Sequence, residues 1–119
     1  MTEFRFAEEK DIPIILKFIK ELADYEGMLD RVEANEELLK KWLFEKEKAE
    51  VIFVLEDGKE VGHALFFHNF STFQGRAGIY IEDLYVTPDY RGKGYGISLI
   101  KKLARITVER GCGRSKGYN

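Results

Sequence analysis

The chain has 119 residues, 45% apolar and 13% aromatic, with a net charge of −2. That is one domain's length with material for one modest core, and a charge that argues against a nucleic-acid binder. A single cysteine excludes an internal disulfide framework and points to a reducing, cytoplasmic setting. The opening Met-Thr-Glu-Phe-Arg-Phe contains no long apolar run, so neither a signal peptide nor a membrane span is expected.

In chain order, Phe4-Arg5-Phe6-Ala7 alternates like a short strand. Asp11 reads as the N-cap of a helix with Pro13 in its first turn, and Ile12, Ile15, Leu16, Ile19, Leu22 and Ala23 recur at helical spacing until Gly27. A second helix is predicted over about 35–44, with Leu38, Leu39, Trp42 and Leu43 turned inward. Strands over 51–55 and 61–67 are joined across Asp57-Gly58, a hairpin signal, and a third strand covers 77–86. A last helix over 95–110 is expected to bury Ile97, Leu99, Ile100, Leu103, Ala104 and Ile106, with Gly111 and Gly113 stopping it. There are no repeats, low-complexity tracts or linkers.

The stretch from Gly78 to Gly96 is the most informative. An apolar strand carries Glu82 and Asp83, breaks at Thr87-Pro88-Asp89 and opens a helix through Arg91-Gly92-Lys93-Gly94-Tyr95-Gly96. A helix N-terminus with unpaired N–H groups and partial positive charge is an anion site, and glycines let backbone approach a phosphate. The nucleotide loop Gly-x-x-x-x-Gly-Lys-Ser/Thr is absent. A dinucleotide fingerprint needs Gly-x-Gly-x-x-Gly after the first strand and a later acidic residue, whereas here the glycines come late and Arg114 and Lys116 follow the helix.

Charge is unevenly spread. Residues 21–37 hold Glu21, Asp24, Glu26, Asp30, Glu33, Glu36 and Glu37 against Arg31, while 101–116 hold Lys101, Lys102, Arg105, Arg110, Arg114 and Lys116 against Glu109. Two readings stand: solvated helix faces, or an acidic surface for a cationic substrate and a basic one for coenzyme phosphates.

Arg-Gly-x-Gly-x-Gly behind a Val-x-Pro-x-Tyr strand exit resembles the coenzyme A loop of the GNAT superfamily of N-acetyltransferases. Ile19-Lys-Glu-Leu-Ala-Asp-Tyr-Glu26, Val61-Gly62 with its aromatic tail, Glu82-Asp83-Leu-Tyr-Val86 and Asp89-Tyr-Arg-Gly92 are similar to the diamine or spermidine/spermine and thialysine N-acetyltransferases. The resemblance implies an α/β (α+β) fold with a mixed, mostly antiparallel sheet and flanking helices, one domain over 1–119. It implies acetyl-CoA as co-substrate, a small-molecule amine acceptor, direct transfer in a ternary complex and a homodimer. Glu82 would be the catalytic base. Backbone groups of Leu84, Tyr85 and Val86 would meet the pantetheine arm, with a strand bulge freeing an N–H near Tyr85 for the thioester carbonyl. Arg91, Gly92, Lys93, Gly94, Tyr95, Gly96 and Ile97 would wrap the pyrophosphate, and Tyr25, Glu26 and Asp83 would contact the amine. The chemistry asks for a base, because an amine of pKa near 10 is free in only about one molecule in a few thousand at neutral pH.

The chain departs from that family in several places. Ser71 stands at an acidic position and Phe73 at a larger aromatic, which weakens spermidine or spermine as the specific acceptor. After Arg114 the family continues with a strand, a helix bearing a tyrosine proton donor and two closing strands, whereas this chain runs Ser115-Lys-Gly-Tyr-Asn119. Tyr118 lies in no matching motif. A C-terminally truncated domain is therefore expected, with the 77–86 edge unpaired. The alternatives are a chain completed by a partner copy, or a non-catalytic acetyl-CoA-binding remnant or interaction module. No metal is expected: His63 and His68, five apart, do not form a site with the lone Cys112, which also has no assigned base. Trp42 is expected in the core.

Overall fold

The computed structural model describes residues 2–116, so Tyr118 lies outside the described residues. Strand β1 (Glu3–Phe6) leads through a single 3₁₀ turn into α1 (Ile12–Tyr25), and α2 (Glu36–Leu39) passes into a π-helical segment, Lys40–Glu45. Strands β2 (Glu50–Glu56), β3 (Lys59–Ser71) and β4 (Arg76–Val86) follow, then α3 (Tyr95–Glu109) and the short β5 (Ser115–Lys116). Spatial order is β1-β2-β3-β4-β5; the first four are antiparallel, and β5 lies parallel to β4 after the α3 crossover. No helix among the described residues is long and apolar enough to cross a membrane.

The sheet is covered on both faces, which explains why β2 is an unbroken apolar run rather than an alternating one. Val51, Phe53 and Leu55 pack with Ile12, Ile15, Phe18, Leu39 and Leu43 on the α1–α2 face. Ile52 and Val54 join Val61, Phe66, Ile79, Leu99, Leu103 and Ile106 on the α3 face. Asp57 and Gly58 both take positive φ, 51° and 80°, as a tight hairpin turn between right-twisted strands requires.

Several expectations change. Asp11 is the residue before α1, but its carboxylate does not cap that helix. It accepts two 2.8 Å bonds from the Arg5 guanidinium and one from the Glu8 N–H, and Arg5 also donates to Glu60 at 2.7 Å. Both carboxylate oxygens are thus taken up by Arg5 and by the turn before α1, not by the first N–H groups of the helix. The second helix is α-helical for four residues only, with the Asn35 side chain accepting from the Leu38 N–H at 2.8 Å. Leu39 and Leu43, four residues apart, form its one inward stripe, while Leu38 and Trp42 are 41% and 45% exposed. Trp42 is therefore not a core residue. On α3, Leu99, Leu103 and Ile106 are buried with Tyr95 and Thr107, whereas Ile97, Ile100 and Ala104 face outward. One helix on one sheet face can bury a single stripe. The 77–86 edge, expected to be unpaired, meets the two-residue β5 at Ile79 and Tyr80.

Candidate active site

The site is built around an irregularity in β4. Phe66 pairs with Ile81 and Leu65 with Asp83, so Glu82 is an extra residue with no partner on β3. Such a bulge reverses which backbone groups face which neighbour. Before it, the Ile79 N–H donates outward to the Arg114 carbonyl at 2.9 Å; beyond it, the Thr87 N–H donates inward to the Val61 carbonyl at 2.9 Å. Residues 79 and 87 have the same parity, so the reversal is the work of Glu82. Past the bulge, the N–H groups of Leu84 and Val86 face the outer edge, and that of Tyr85 faces β3. Among the described residues, β5 pairs only with Ile79 and Tyr80, leaving this edge open. The outward donors nearest Tyr85 are thus on Leu84 and Val86.

The bulge also resets the side chains. Tyr85 joins the α1–α2 face and Leu84 and Val86 the α3 face. Glu82 is exposed and Asp83 partly buried. Burial, helped by the nearby Glu82 and Glu26 carboxylates, raises the Asp83 carboxyl to about 6. Glu26 follows the last residue of α1, at the negative end of the helix dipole, where an anion is disfavoured. Among the described residues none of Glu26, Glu82 and Asp83 belongs to an ion pair. Asp83 thus has two like-charged neighbours and, among the described residues, no cation paired with it, an arrangement that favours a cationic ligand.

Tyr25 stands beside Glu26 with its ring 73% exposed. Tyr85 is buried, and its hydroxyl donates to Glu21 at 2.6 Å. Burial first, and then this bond, pushes the phenol up to about 12, so it remains a donor. Glu21, which the sequence offers only as one of the acidic residues of 21–37, precedes Tyr25 by one helical turn and shares its face.

The glycine loop closes the site at the C-terminal end of β4. Gly92 and Gly94 have φ of 78° and 88°, and a Cβ on either would point into open space. Their conformation favours glycine, and the surface they present is unobstructed backbone. Gly96 has an ordinary φ and lies against β4, where a Cβ would be 3.9 Å from the Leu84 side chain. The first bond of α3 joins the Ser98 N–H to the Gly94 carbonyl, so the N–H groups of Tyr95, Gly96 and Ile97 have no partner within the helix. A cavity of about 310 Å³ lies over this turn, lined by Val86 and most of the loop from Tyr90 to Ile97. Tyr95 turns away from it into the core, and its hydroxyl donates to Glu56 beside the β2–β3 hairpin. Lys93 and Lys59 lie 5.2 and 5.7 Å from the Tyr90 ring centre. Unpaired amides, two left-handed glycines and an adjoining open strand edge fit a ligand with a pyrophosphate head and an amide-bearing arm, as coenzyme A has.

Sequence reasoning missed Glu56, which braces the loop from outside its motif through the Tyr95 hydroxyl, while Tyr90, part of the strand-exit motif, packs edge-on to the Tyr95 ring. Ser71 ends β3, and Phe73 lies at the exposed tip of the β3–β4 hairpin. Cys112 packs partly against the α3-side core.

A profile of the acetyltransferase (GNAT) family matches residues 16–116. The chain belongs to that family. Thialysine N-epsilon-acetyltransferase from Bos taurus is 38% identical over 117 residues, covering 91% of this chain and 68% of that protein. Spermidine/spermine N(1)-acetyltransferase-like protein 1 from Homo sapiens is 34% identical over 118 residues, covering 92% of this chain and 17% of that protein. The fold matches the crystal structure of ribosomal-protein-alanine N-acetyltransferase from Brucella melitensis biovar Abortus 2308 with a TM-score of 0.82 at 20% identity, over 100% of this chain and 80% of that one. The acetyltransferase family and its fold are thus established for this chain, and the bulged strand and glycine loop are the parts of it described above.

Proposed function

We propose that the chain transfers an acetyl group from acetyl-CoA to a small amine, a diamine, polyamine or lysine analogue, by direct attack in a ternary complex. The observation that carries this reading is the bulge at Glu82. It sets an outward-facing backbone edge beside unpaired carboxylates and next to the glycine turn of α3. The names of the relatives support an amine acceptor. Bound acetyl-CoA would supply its acetyl group as a thioester.

The roles of the chain's own residues follow from their surroundings. N–H groups of Tyr95, Gly96 and Ile97, with the turn from Arg91 to Gly94, hold the phosphates, and the edge groups of Leu84 and Val86 hold the amide arm and polarise the reacting carbonyl. Glu26, Asp83 and Tyr25 bind the protonated amine. Glu82, at the bulge, takes the proton that the amine must lose before it can attack, directly or through water. A second reading exchanges the last two carboxylates. Asp83, held at about 6 by burial and its neighbours, lies nearer the range in which a general base works best. The same reading has the enzyme working as a homodimer in the cytoplasm.

The test is mass-spectrometric detection of acetylated product after incubation with acetyl-CoA and, separately, thialysine, lysine, putrescine, spermidine and spermine. An acetylated amine is expected from at least one. Saturable acetyl-CoA binding without product from any amine would replace this reading with that of a non-catalytic coenzyme-binding module.

A further inference from the structure

Strand β1 is the edge of the sheet on the side opposite β5, and among the described residues no strand pairs with its outer side. In the antiparallel pair with β2, the Ala7 N–H donates to the Val51 carbonyl at 2.8 Å, and Arg5 stands opposite Phe53. Bonded and non-bonded residues alternate in such a pair. Glu3, Arg5 and Ala7 therefore direct their backbone groups to β2, while Phe4 and Phe6 turn theirs outward. An open row of N–H and C=O groups is a template for one more strand.

The ground beside that edge is basic. A cavity of about 440 Å³ lies between β1 and α3, lined by Thr2, Phe4, Ser98, Lys101 and Arg105. The Lys102 ammonium lies 5.8 Å from the centre of the Phe4 ring. Among the described residues none of Lys101, Lys102 and Arg105 belongs to an ion pair, whereas Arg5 is held by Asp11 and Glu60, and Arg110 by Glu50. Phe4 packs on the α3 side of the sheet, and Phe6 shares its parity. A strand added to this edge would turn every second side chain to that same side, toward the cations. Lys101 and Arg105, four residues apart, are separated along α3 by about 6 Å, close to the ~6.8 Å between same-face residues of a strand.

We propose that the β1 edge is a docking surface for an extended, acidic polypeptide segment, which adds to the sheet as a further strand with acidic side chains at alternate positions facing Lys101, Lys102 and Arg105. Backbone bonds to Phe4 and Phe6 supply affinity, and the cations select the partner. A second copy of this chain is a worse occupant. Antiparallel pairing of two β1 strands across a two-fold axis keeps both α3 helices on one face and brings their two sets of cations together. The surface lies across the sheet from the bulge and the glycine turn, so the inference goes beyond the acetyl-transfer reading and does not depend on it.

The test uses the full chain and a short fluorescein-labelled peptide with glutamate at every second position and valine or threonine between. Fluorescence anisotropy measures binding, and hydrogen exchange read by NMR follows the Phe4 and Phe6 amides. Saturable binding is expected. It should weaken about 10-fold or more when glutamine replaces the peptide's glutamates, or when the chain carries Lys101→Glu/Arg105→Glu. The milder Arg105→Gln should weaken it about threefold, with circular dichroism and the thermal midpoint showing that each variant is folded. Bound peptide should slow exchange at Phe4 and Phe6 by about 10-fold or more. A wild-type chain that does not bind the acidic peptide overturns the proposal. So does binding that leaves both amides exchanging freely, or equal binding of a short oligothymidylate, since either reduces the contact to charge alone. Protection of the same amides that rises with protein concentration alone would give the edge to a second copy. Loss of acetyl-CoA binding in the folded double variant would give the cations to the coenzyme. Each of these last two results also overturns it.

Discussion

Burial, with the Glu82 and Glu26 carboxylates beside it, raises the Asp83 carboxyl to about 6, so this group changes charge inside the range where turnover is measured. If Asp83 binds the amine and Glu82 takes the proton, the acceptor KM of wild type should rise as pH falls through about 6, while kcat keeps its value across that step. Asp83→Asn should then have a high, pH-independent KM, and Glu82→Gln should lower kcat by about 100-fold or more. A step near pH 6 in kcat that Asp83→Asn abolishes would hand the proton acceptor's role to Asp83. The same shift has a stability side. A carboxyl whose folded pKa is raised contributes stability below its unfolded pKa and loses it as pH rises through the folded one. Asp83→Asn is therefore expected to raise the thermal midpoint at pH 7.5 and to have a smaller effect at pH 4.5.

His63 is the opposite case. Its ring is fully buried against Phe18 and Phe53, neither nitrogen has a hydrogen-bond partner among the described residues, and burial lowers its pKa to about 3. Between about pH 3 and 6.5 the unfolded chain binds more protons than the folded one, so stability is whole above 6.5 and drains away as pH falls. Replacing His63 with leucine, of similar bulk and without orphan nitrogens, should stabilise by about 1 kcal/mol at pH 7. The gain should grow by about 1.4 kcal/mol for each pH unit below 6.5. Urea unfolding at pH 7 and pH 5 measures it, and equal gains at the two pH values would remove the imidazole from the account.

Among the elements, β4 carries the bulge and the residues proposed to act, and β3 constrains its position. Gly62 looks like a plain strand glycine in the sequence. In the sheet, a Cβ there would collide with the Tyr85 carbonyl oxygen and come within 3.1 Å of the Val86 Cα. Both obstacles are backbone, so the strands must part to accommodate it. Gly62→Ala is expected to destabilise the fold by about 2 kcal/mol or more and to weaken acetyl-CoA binding, since the displaced segment is the edge proposed to hold the coenzyme arm. A stable variant with unaltered coenzyme affinity would show that this edge is not in use.

The glycine turn was legible because its residues have strong local meaning: Gly92 and Gly94 do sit at positive φ, ahead of a helix that starts at Tyr95. The β2–β3 hairpin was legible for the same reason. The inward face of α3 was not, because Ile97, Ile100, Ala104 and Val108 extend apolar character around most of the helix, and only packing on the sheet selects Leu99, Leu103 and Ile106. Likewise, nothing local in Glu82-Asp83 marks the first as a bulge residue; that follows from the register with Phe66 and Leu65 on β3. Asp11 was placed at the right helix end with the wrong partner, because Arg5 reaches it from another strand.

Across the whole molecule, part of the uneven charge turns out to be structural. Arg110 donates to Glu50 at 2.7 and 2.9 Å and its guanidinium lies 5.9 Å from the Phe6 ring centre, while Lys17 sits 3.9 Å from Glu21. Glu26, Glu82 and Asp83 remain outside any ion pair among the described residues, with the first two close enough to Asp83 to raise its pKa. On the proposed reading this division separates an anion-binding half from a cation-binding half along a single strand, and the central claim of that reading is that the two work as one site. The most direct test measures acetylated thialysine and acetyl-CoA affinity on the same preparations of wild type and the Glu82→Gln/Asp83→Asn double variant. The account predicts product from wild type, at least about a 100-fold slower rate in the double variant and coenzyme affinity unchanged within about twofold. Product formed at the wild-type rate by the double variant, or coenzyme binding lost along with activity, would contradict it.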